Sequence, residues 1–297
     1  MKTLRDIGED ALIDRLISLV PRDPNPAAGT GDDCAVIDQD PQSATLLLLK
    51  TDALVEQIHF LPSAPARAVG WKAAARVASD FAAMGGRPGH FLVTLALPPE
   101  TAITWVEDLY RGIGECLEKF GGFLAGGETS SIPAGSAAVI SIAATGSVRR
   151  EHLVLRSTGN VGDVIFVTGT LGGSIAGKHL DFTPRLREAS WLVANFKPTA
   201  MMDLSDGLGK DLARLTLASA CESVIDMAAL PVTSHCIPAQ ALGDGEDYEL
   251  LFAMEPARVD ALLATSSPMR VRRRSDIGEL VASGNGMQLD GGWEHFK

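Results

Sequence analysis

No run in this sequence approaches the roughly eighteen apolar residues that a membrane-spanning helix needs. The run 46–49 is strand-sized and bounded by Thr45 and Lys50. Cysteine is scarce: Cys34, Cys116, Cys221 and Cys236 stand far apart, form no CxxC pair and have no histidine at zinc-ligand spacing. A structural zinc and a disulfide framework are therefore excluded as organising devices. Basic charge is also short, with a formal net charge of −11, which argues against a nucleic-acid partner because phosphate binding needs a basic face. The arginine cluster at 270, 272, 273 and 274 is followed by Asp276 and Glu279 and reads as a solvated edge strand or turn. Low-complexity tracts and short-period repeats are missing, as is an acidic calcium loop of the EF-hand type. Lys2, Arg5, Asp6, Glu9 and Asp10 precede any apolar stretch, unlike a secretory signal, so a cytoplasmic location without a membrane partner is expected.

What is present is the composition of a folded chain, with 46% hydrophobic and 21% charged residues over a length of 297. Residues 7–19 carry Ile7, Leu12, Ile13, Leu16 and Leu19 at helical spacing. A turn-rich stretch at 21–31 precedes strands expected at 34–37 and 45–51, and a helix over 66–84 that Gly85, Gly86 and Pro88 should end. A strand at 91–97, a helix at 101–120 and strands around Phe123 and over 137–148 complete a first unit. A crossover at 149–162 leads to a second, with strands at 164–168, 223–226 and 249–253 and a helix after Ser205. The alternation predicts two closely packed domains of α/β (α+β) class, 1–148 and 149–297.

The chemical signal is in the carboxylates. Asp32 and Asp33 follow Gly31, Asp52 is expected to end the 45–51 strand, Glu128 follows two glycines, and Asp203 and Asp206 flank Ser205. Singly, each reads as a cap or turn residue. Asp80 is different, because it sits among Ala73, Ala74, Ala75, Val77, Ala78, Phe81, Ala82 and Ala83 on a helix with almost no polar face. A buried carboxylate there needs a cation, either Arg76 or Arg87 in a salt bridge or a metal shared with Asp33 and Asp52. Hard oxygen ligands with few His or Cys neighbours suit Mg²⁺, and a carboxylate-rich site can face a polyphosphate only with such ions between them. The segment 203–208 (DLSDGL) reads as a strand end feeding a helix capped by Ser205 or Asp206, whose N-terminus would favour phosphate oxygens. Residues 172–179 (GGSIAGKH) nearly spell a phosphate-binding P-loop, but His179 stands where Ser or Thr must hold Mg²⁺, so that reading is rejected.

In order along the chain stand GEDALI (8–13), GDDCAV (31–36), TDALVEQIHF (51–60), SDFAAMGG (79–86), AGGETS (125–130), LRSTGNVGD (155–163), VTGTLGGSIAG (167–177), DLSDGL (203–208), GEDYELLF (245–252) and GWEHF (292–296). Through these the chain resembles the thiamine-monophosphate kinases, of the superfamily of aminoimidazole ribonucleotide synthetase and selenophosphate synthetase. The resemblance implies a two-domain fold of that type whose N-terminal mixed sheet forms a barrel in a homodimer. It implies ATP and thiamine monophosphate as substrates and Mg²⁺ as cofactor. Asp33, Thr51, Asp52, Asp80, Glu128, Asp203 and Asp206 would then ligate magnesium, and Gly127, Arg156 and Ser205 would contact ATP. His59, Glu246 and Trp293 would hold the thiamine phosphate, while Asp80, Asp206 and Arg156 would serve the transfer itself. A thiazolium cation would stack well on a Trp face.

The chain departs from the family pattern at several points. Glu128 replaces an Asp, Lys50 stands where a small hydroxyl residue lies beside a metal, Asp244 replaces a glycine, Gly173 replaces an Asp, and the segment 177–184 is short. Two rival readings stand beside this one: another ATP-dependent synthetase of the superfamily, against which GWEHF and the His59 segment speak, and a non-catalytic nucleotide- or metal-binding relative that has lost activity through Lys50, Glu128 and Asp244.

Overall fold

The computed structural model describes residues 3–21, 31–265 and 276–296. The arginine cluster at 270–274 and most of the turn-rich stretch at 21–31 lie outside the described residues. The chain begins with α1 (Glu9–Ile17), shorter than the expected 7–19 because Gly8, at φ +72, separates it from a tight turn over Leu4–Asp6. The first unit continues with β1 (Ala35–Ile37), β2 (Thr45–Val55), α2 (Ala66–Ala83), β3 (Arg87–Leu97), α3 (Ile103–Phe120), β4 (Phe123–Ser131) and β5 (Val139–Arg149). The second contains β6 (Val164–Val167), α4 (Leu186–Asn195), β7 (Ala200–Asp203), α5 (Leu208–Ala218), β8 (Glu222–Ile225), α6 (Pro238–Gly243), β9 (Leu250–Met254), α7 (Pro256–Ala264) and β10 (Asp276–Val281). Among the described residues, no helix is long and apolar enough to cross a membrane.

One sheet has the order β1-β2-β5-β3-β4 and is mixed, since β4 runs parallel to β3 while the other pairs are antiparallel. The second, β7-β9-β6-β10-β8, is antiparallel throughout. Strands β2, β3 and β4 are longer than the sequence suggested, β3 by starting at Arg87 rather than at 91. Strand β2 continues past Thr51 because β5 pairs with it as far as Val55, so Asp52 lies inside the strand, opposite Ile142, rather than at its end. Strand β4 continues through Gly126 and Gly127 instead of turning there. A side chain at Gly127 would strike the Val93 carbonyl, so only glycine lets the two strands pair so closely.

Helix α2 is the shared wall of the molecule. A helix buried on nearly all sides must be lined by neighbours on all sides. Here Val69, Ala73, Val77 and Phe81 enter the core beneath the first sheet, while Ala78, Ala82 and Ala83 enter a second core with Phe166, Leu192 and Phe252. It crosses α3 at a reciprocal glycine contact: a Cβ at Gly70 would overlap the Leu109 carbonyl, and one at Gly112 the Arg67 carbonyl. The alanine-rich sequence of α2 thus brings both sheets against one helix. Apart from exposed Arg67, the polar residues that remain, Lys72, Arg76, Ser79 and Asp80, follow at three- and four-residue spacing and share one face.

Candidate functional site

The face of α2 that carries Asp80 meets the residue before Cys34 on β1's approach and the end of β7. This brings carboxylate oxygens of Asp33, Asp80 and Asp203, all buried, within 4.8 Å of one another. Two cations answer them. Lys50 Nζ lies 2.7 Å from Asp80 Oδ1, and Arg156 Nη2 donates to Asp33 Oδ1 at 2.5 Å. The Asp80 partner is therefore Lys50, a strand neighbour, rather than Arg76 or Arg87. Ser79 Oγ donates to Asp203 Oδ2 at 2.6 Å. Burial first, and the neighbouring carboxylates after it, push Asp80 well above the ordinary carboxylate range against the pull of Lys50. The same causes push Asp203 up to about 7. A group of hard oxygen donors with unneutralised charge fits a divalent cation such as Mg²⁺. The group opens on a cavity of about 580 Å³.

The remaining expected ligands are placed differently. Asp52 turns to Arg76, whose Nε is 3.0 Å from Asp52 Oδ2. Asp206 is held by Arg214 at 2.7 Å and Lys210 at 3.0 Å. Burial alone would raise its pKa, but these two cations hold it below the usual range. Neither Ser205 nor Asp206 caps α5. Gly207, at φ +103, occupies that position, because the Asp206 carboxylate is engaged by the cations and its N–H donates to buried Asp211 at 2.9 Å. Ser205 borders the cavity. Thr51 lies in a separate apolar groove of about 540 Å³ on the first sheet, with Leu49, Leu92 and Ala143. Gly127 and Glu128 lie on β4, which is exposed along its length, and Glu128 accepts from Ser130 Oγ at 2.7 Å.

A second cavity, of about 270 Å³, adjoins the first and gathers His59, Glu246 and Trp293, all three of the residues expected together. Its floor is a polar cluster that sequence reasoning missed. Lys72, fully buried, donates to Glu246 Oε2 at 2.5 Å and to the His59 carbonyl at 2.6 Å, and meets His179 Nδ1 at 2.6 Å. His179 Nδ1 is also 2.8 Å from Glu246. Burial would raise Glu246, but the His179 and Lys72 contacts pull it down to about 2. Burial lowers Lys72 to about 8 despite Glu246, and His59 to about 4 with help from Arg76. Trp293 is anchored from both sides of its backbone: its N–H donates to the Asp206 carbonyl at 2.8 Å, and its carbonyl accepts from Lys210 Nζ at 2.7 Å.

The i,i+4 series 72, 76, 80 was the available signal for Lys72 and Arg76, both on Asp80's helix face. His179 had no such signal. The rejected P-loop forms two short tight turns, Ser174–Ala176 and Lys178–Leu180. Two departures from the family pattern touch each other: the Gly173 N–H donates to Asp244 Oδ2 at 2.8 Å, with Gly173 at φ +76. A carboxylate absent on one side of this contact is thus present on the other.

Residues 31–148 match the family model described as "AIR synthase related protein, N-terminal domain". A curated thiamine-monophosphate kinase from Synechococcus elongatus is 32% identical over 99% of this chain and 98% of its own length. One from Rhodopirellula baltica is 34% identical over 87% of this chain and 84% of its own. A solved structure described as "AaThiL complexed with AMPPCP and TMP" superposes with a TM-score of 0.84 at 28% identity, covering 99% of both chains.

Proposed function

The chain belongs to the thiamine-monophosphate kinase family, and from that premise we propose that it transfers the γ-phosphoryl group of ATP to the phosphate of thiamine monophosphate, giving thiamine diphosphate and ADP. The observation that carries the reading is the near-complete superposition on a relative described with AMPPCP and TMP, in a chain whose acidic cavity adjoins a second pocket.

The acceptor is a phosphate monoester whose second pKa is about 6, so at neutral pH it is already a nucleophile and needs no general base. One of its oxygens bonds to the γ-phosphorus while the bond to the bridging oxygen breaks, and that electron pair leaves with ADP. Catalysis then rests on positioning and charge. Asp33, Asp80 and Asp203 would hold Mg²⁺, with Asp52 and Asp206 on the same cavity beside them; Thr51 and Glu128, in a separate groove and on an exposed strand, would take part as further ligands only if a partner copy completes the site. Bound there, Mg²⁺ would neutralise and orient the polyphosphate. Arg156 would add a fixed positive charge, and Gly127 and Ser205 would contact ATP. In the second pocket Trp293 would stack on the thiamine, His59 would border it, and Glu246, held anionic by Lys72 and His179, would accept from the aminopyrimidine.

We extend the reading to a homodimer, paired along exposed β4, in which Phe123 (72% exposed) and Leu124 (48%) are covered and the first sheet closes into a barrel. A division near residue 148, between the strands of the two sheets, and a cytoplasmic site of action complete it. The test is incubation with ATP, Mg²⁺ and thiamine monophosphate. Thiamine diphosphate formed in step with ADP supports the reading, and bound ATP with thiamine monophosphate left unchanged contradicts it.

A further inference from the structure

The two cavities share a wall that includes Arg76, Ser205, Asp206 and Tyr248. On this wall lie the two buried side-chain polar atoms without a hydrogen-bond partner among the described residues, Arg76 Nε and the Tyr248 hydroxyl. Native structures leave few buried donors unspent, and each one raises the question of a missing acceptor. Arg76 Nε is close to Asp52 Oδ2, at 3.0 Å, yet its N–H is not aligned on that oxygen, so the ion pair leaves the donor free. Its Nη1 is anchored on the Ala53 carbonyl at 3.2 Å. Tyr248 is fixed by stacking on Phe182, with ring centroids 4.0 Å apart, so its hydroxyl cannot swing away to find a partner.

Every cation at the site has a carboxylate partner, Lys50 with Asp80, Lys72 with Glu246, Arg76 with Asp52, Arg156 with Asp33, and Lys210 and Arg214 with Asp206, but Arg76 is the one among them whose buried N–H is left without an aligned acceptor among the described residues. Two donors without an aligned acceptor, one of them on the guanidinium paired with Asp52, therefore belong to residues that line both the pocket assigned to thiamine and the cavity assigned to ATP. An anion that presents oxygen acceptors fits there. We propose that Arg76 and Tyr248 form the seat of the acceptor phosphate, making Arg76 a further catalytic residue that contacts the phosphate monoester as it faces the γ-phosphoryl group. The assignment rests on the functional reading above. Arg76 offsets the negative charge that otherwise keeps two phosphates apart, and the Tyr248 hydroxyl donates to a second oxygen of the same group.

The test is calorimetric binding of thiamine monophosphate and of thiamine, which lacks the phosphate, to wild type, Arg76→Gln, Arg76→Lys and Tyr248→Phe. A lost charge-assisted hydrogen bond should weaken thiamine monophosphate binding roughly 10- to 100-fold in Arg76→Gln. Thiamine binding and the KM for ATP should stay unchanged, Arg76→Lys should recover part of the loss, and Tyr248→Phe should lose severalfold. Tyr248→Phe removes a hydroxyl that bonds to nothing in the protein, so it folds and remains decisive if Arg76→Gln does not. Variants that keep the wild-type preference for thiamine monophosphate over thiamine would overturn the proposal while leaving the kinase reading intact. A wild type that binds neither molecule would overturn both.

Discussion

Replacing Lys72 with methionine tests the polar floor of the second cavity. The ammonium is fully buried and 2.5 Å from Glu246 Oε2. At an effective dielectric of about 20, that separation corresponds to a gross attraction of roughly 6–7 kcal/mol. The partners report the balance from opposite sides: Glu246 is pulled down to about 2 by its contacts, whereas burial holds Lys72 down to about 8. The short distance and the further acceptor at the His59 carbonyl make the formed pair the better description, and below about 8 Lys72 is mostly protonated. Removing Lys72 leaves a half-buried carboxylate, its side chain 20% exposed, with His179 as its close partner, a change that costs about 3 kcal/mol, the low end for a buried pair. Urea denaturation of Lys72→Met should show a loss of that size. The double variant Lys72→Met with Glu246→Gln should regain at least about 2 kcal/mol of it, since no charge then remains unpaired. A loss below about 1 kcal/mol, or strict additivity, would refute the argument.

Lys50→Ser removes the cation that Asp80 now holds at 2.7 Å, so calorimetry should show Mg²⁺ binding tightened roughly 10-fold; unchanged affinity would mean that Lys50 does not compete with the ion. His59, lowered from 6.5 to about 4 by burial, is neutral in the folded chain, so the unfolded chain binds more protons between those values. Wild type should therefore lose stability relative to His59→Gln as pH falls from 6.5 to 4, and thermal melts that run parallel across the window would count against it. Phe123→Asp, on the exposed β4, should convert a dimer to a monomer in light scattering, and an unaltered mass would remove β4 from the interface.

The sequence was most readable where one helix or one run carried the information. The apolar surroundings of Asp80 required a buried carboxylate with a cation, and the structure supplies both. The helices at 66–84 and 101–120 were visible from periodicity to within two residues. Strand extent was less visible, because the partner decides it: β2 runs past Thr51 only because β5 lies alongside. The helices α4, α6 and α7 and the strand β10 went unread, being short or weakly patterned, and β7 was read only as a strand end at Asp203. Pairings across the chain were hidden as well. Lys72 meets Glu246, 174 residues away, and Arg156 meets Asp33, 123 away, contacts that no local pattern encodes. Family resemblance, rather than residue chemistry, put His59, Glu246 and Trp293 in one pocket, and the fold does bring them together. The same resemblance named Thr51, Gly127 and Glu128, which this single chain leaves on an open groove and an exposed edge.

The most direct test of the central claim follows labelled γ-phosphate from ATP in the presence of Mg²⁺ and thiamine monophosphate, with wild type and Asp80→Asn side by side. The account predicts label in thiamine diphosphate for the wild type, none without the metal, and loss of both Mg²⁺ binding and transfer in the variant. Label appearing only as inorganic phosphate, or transfer that survives in Asp80→Asn, would contradict it.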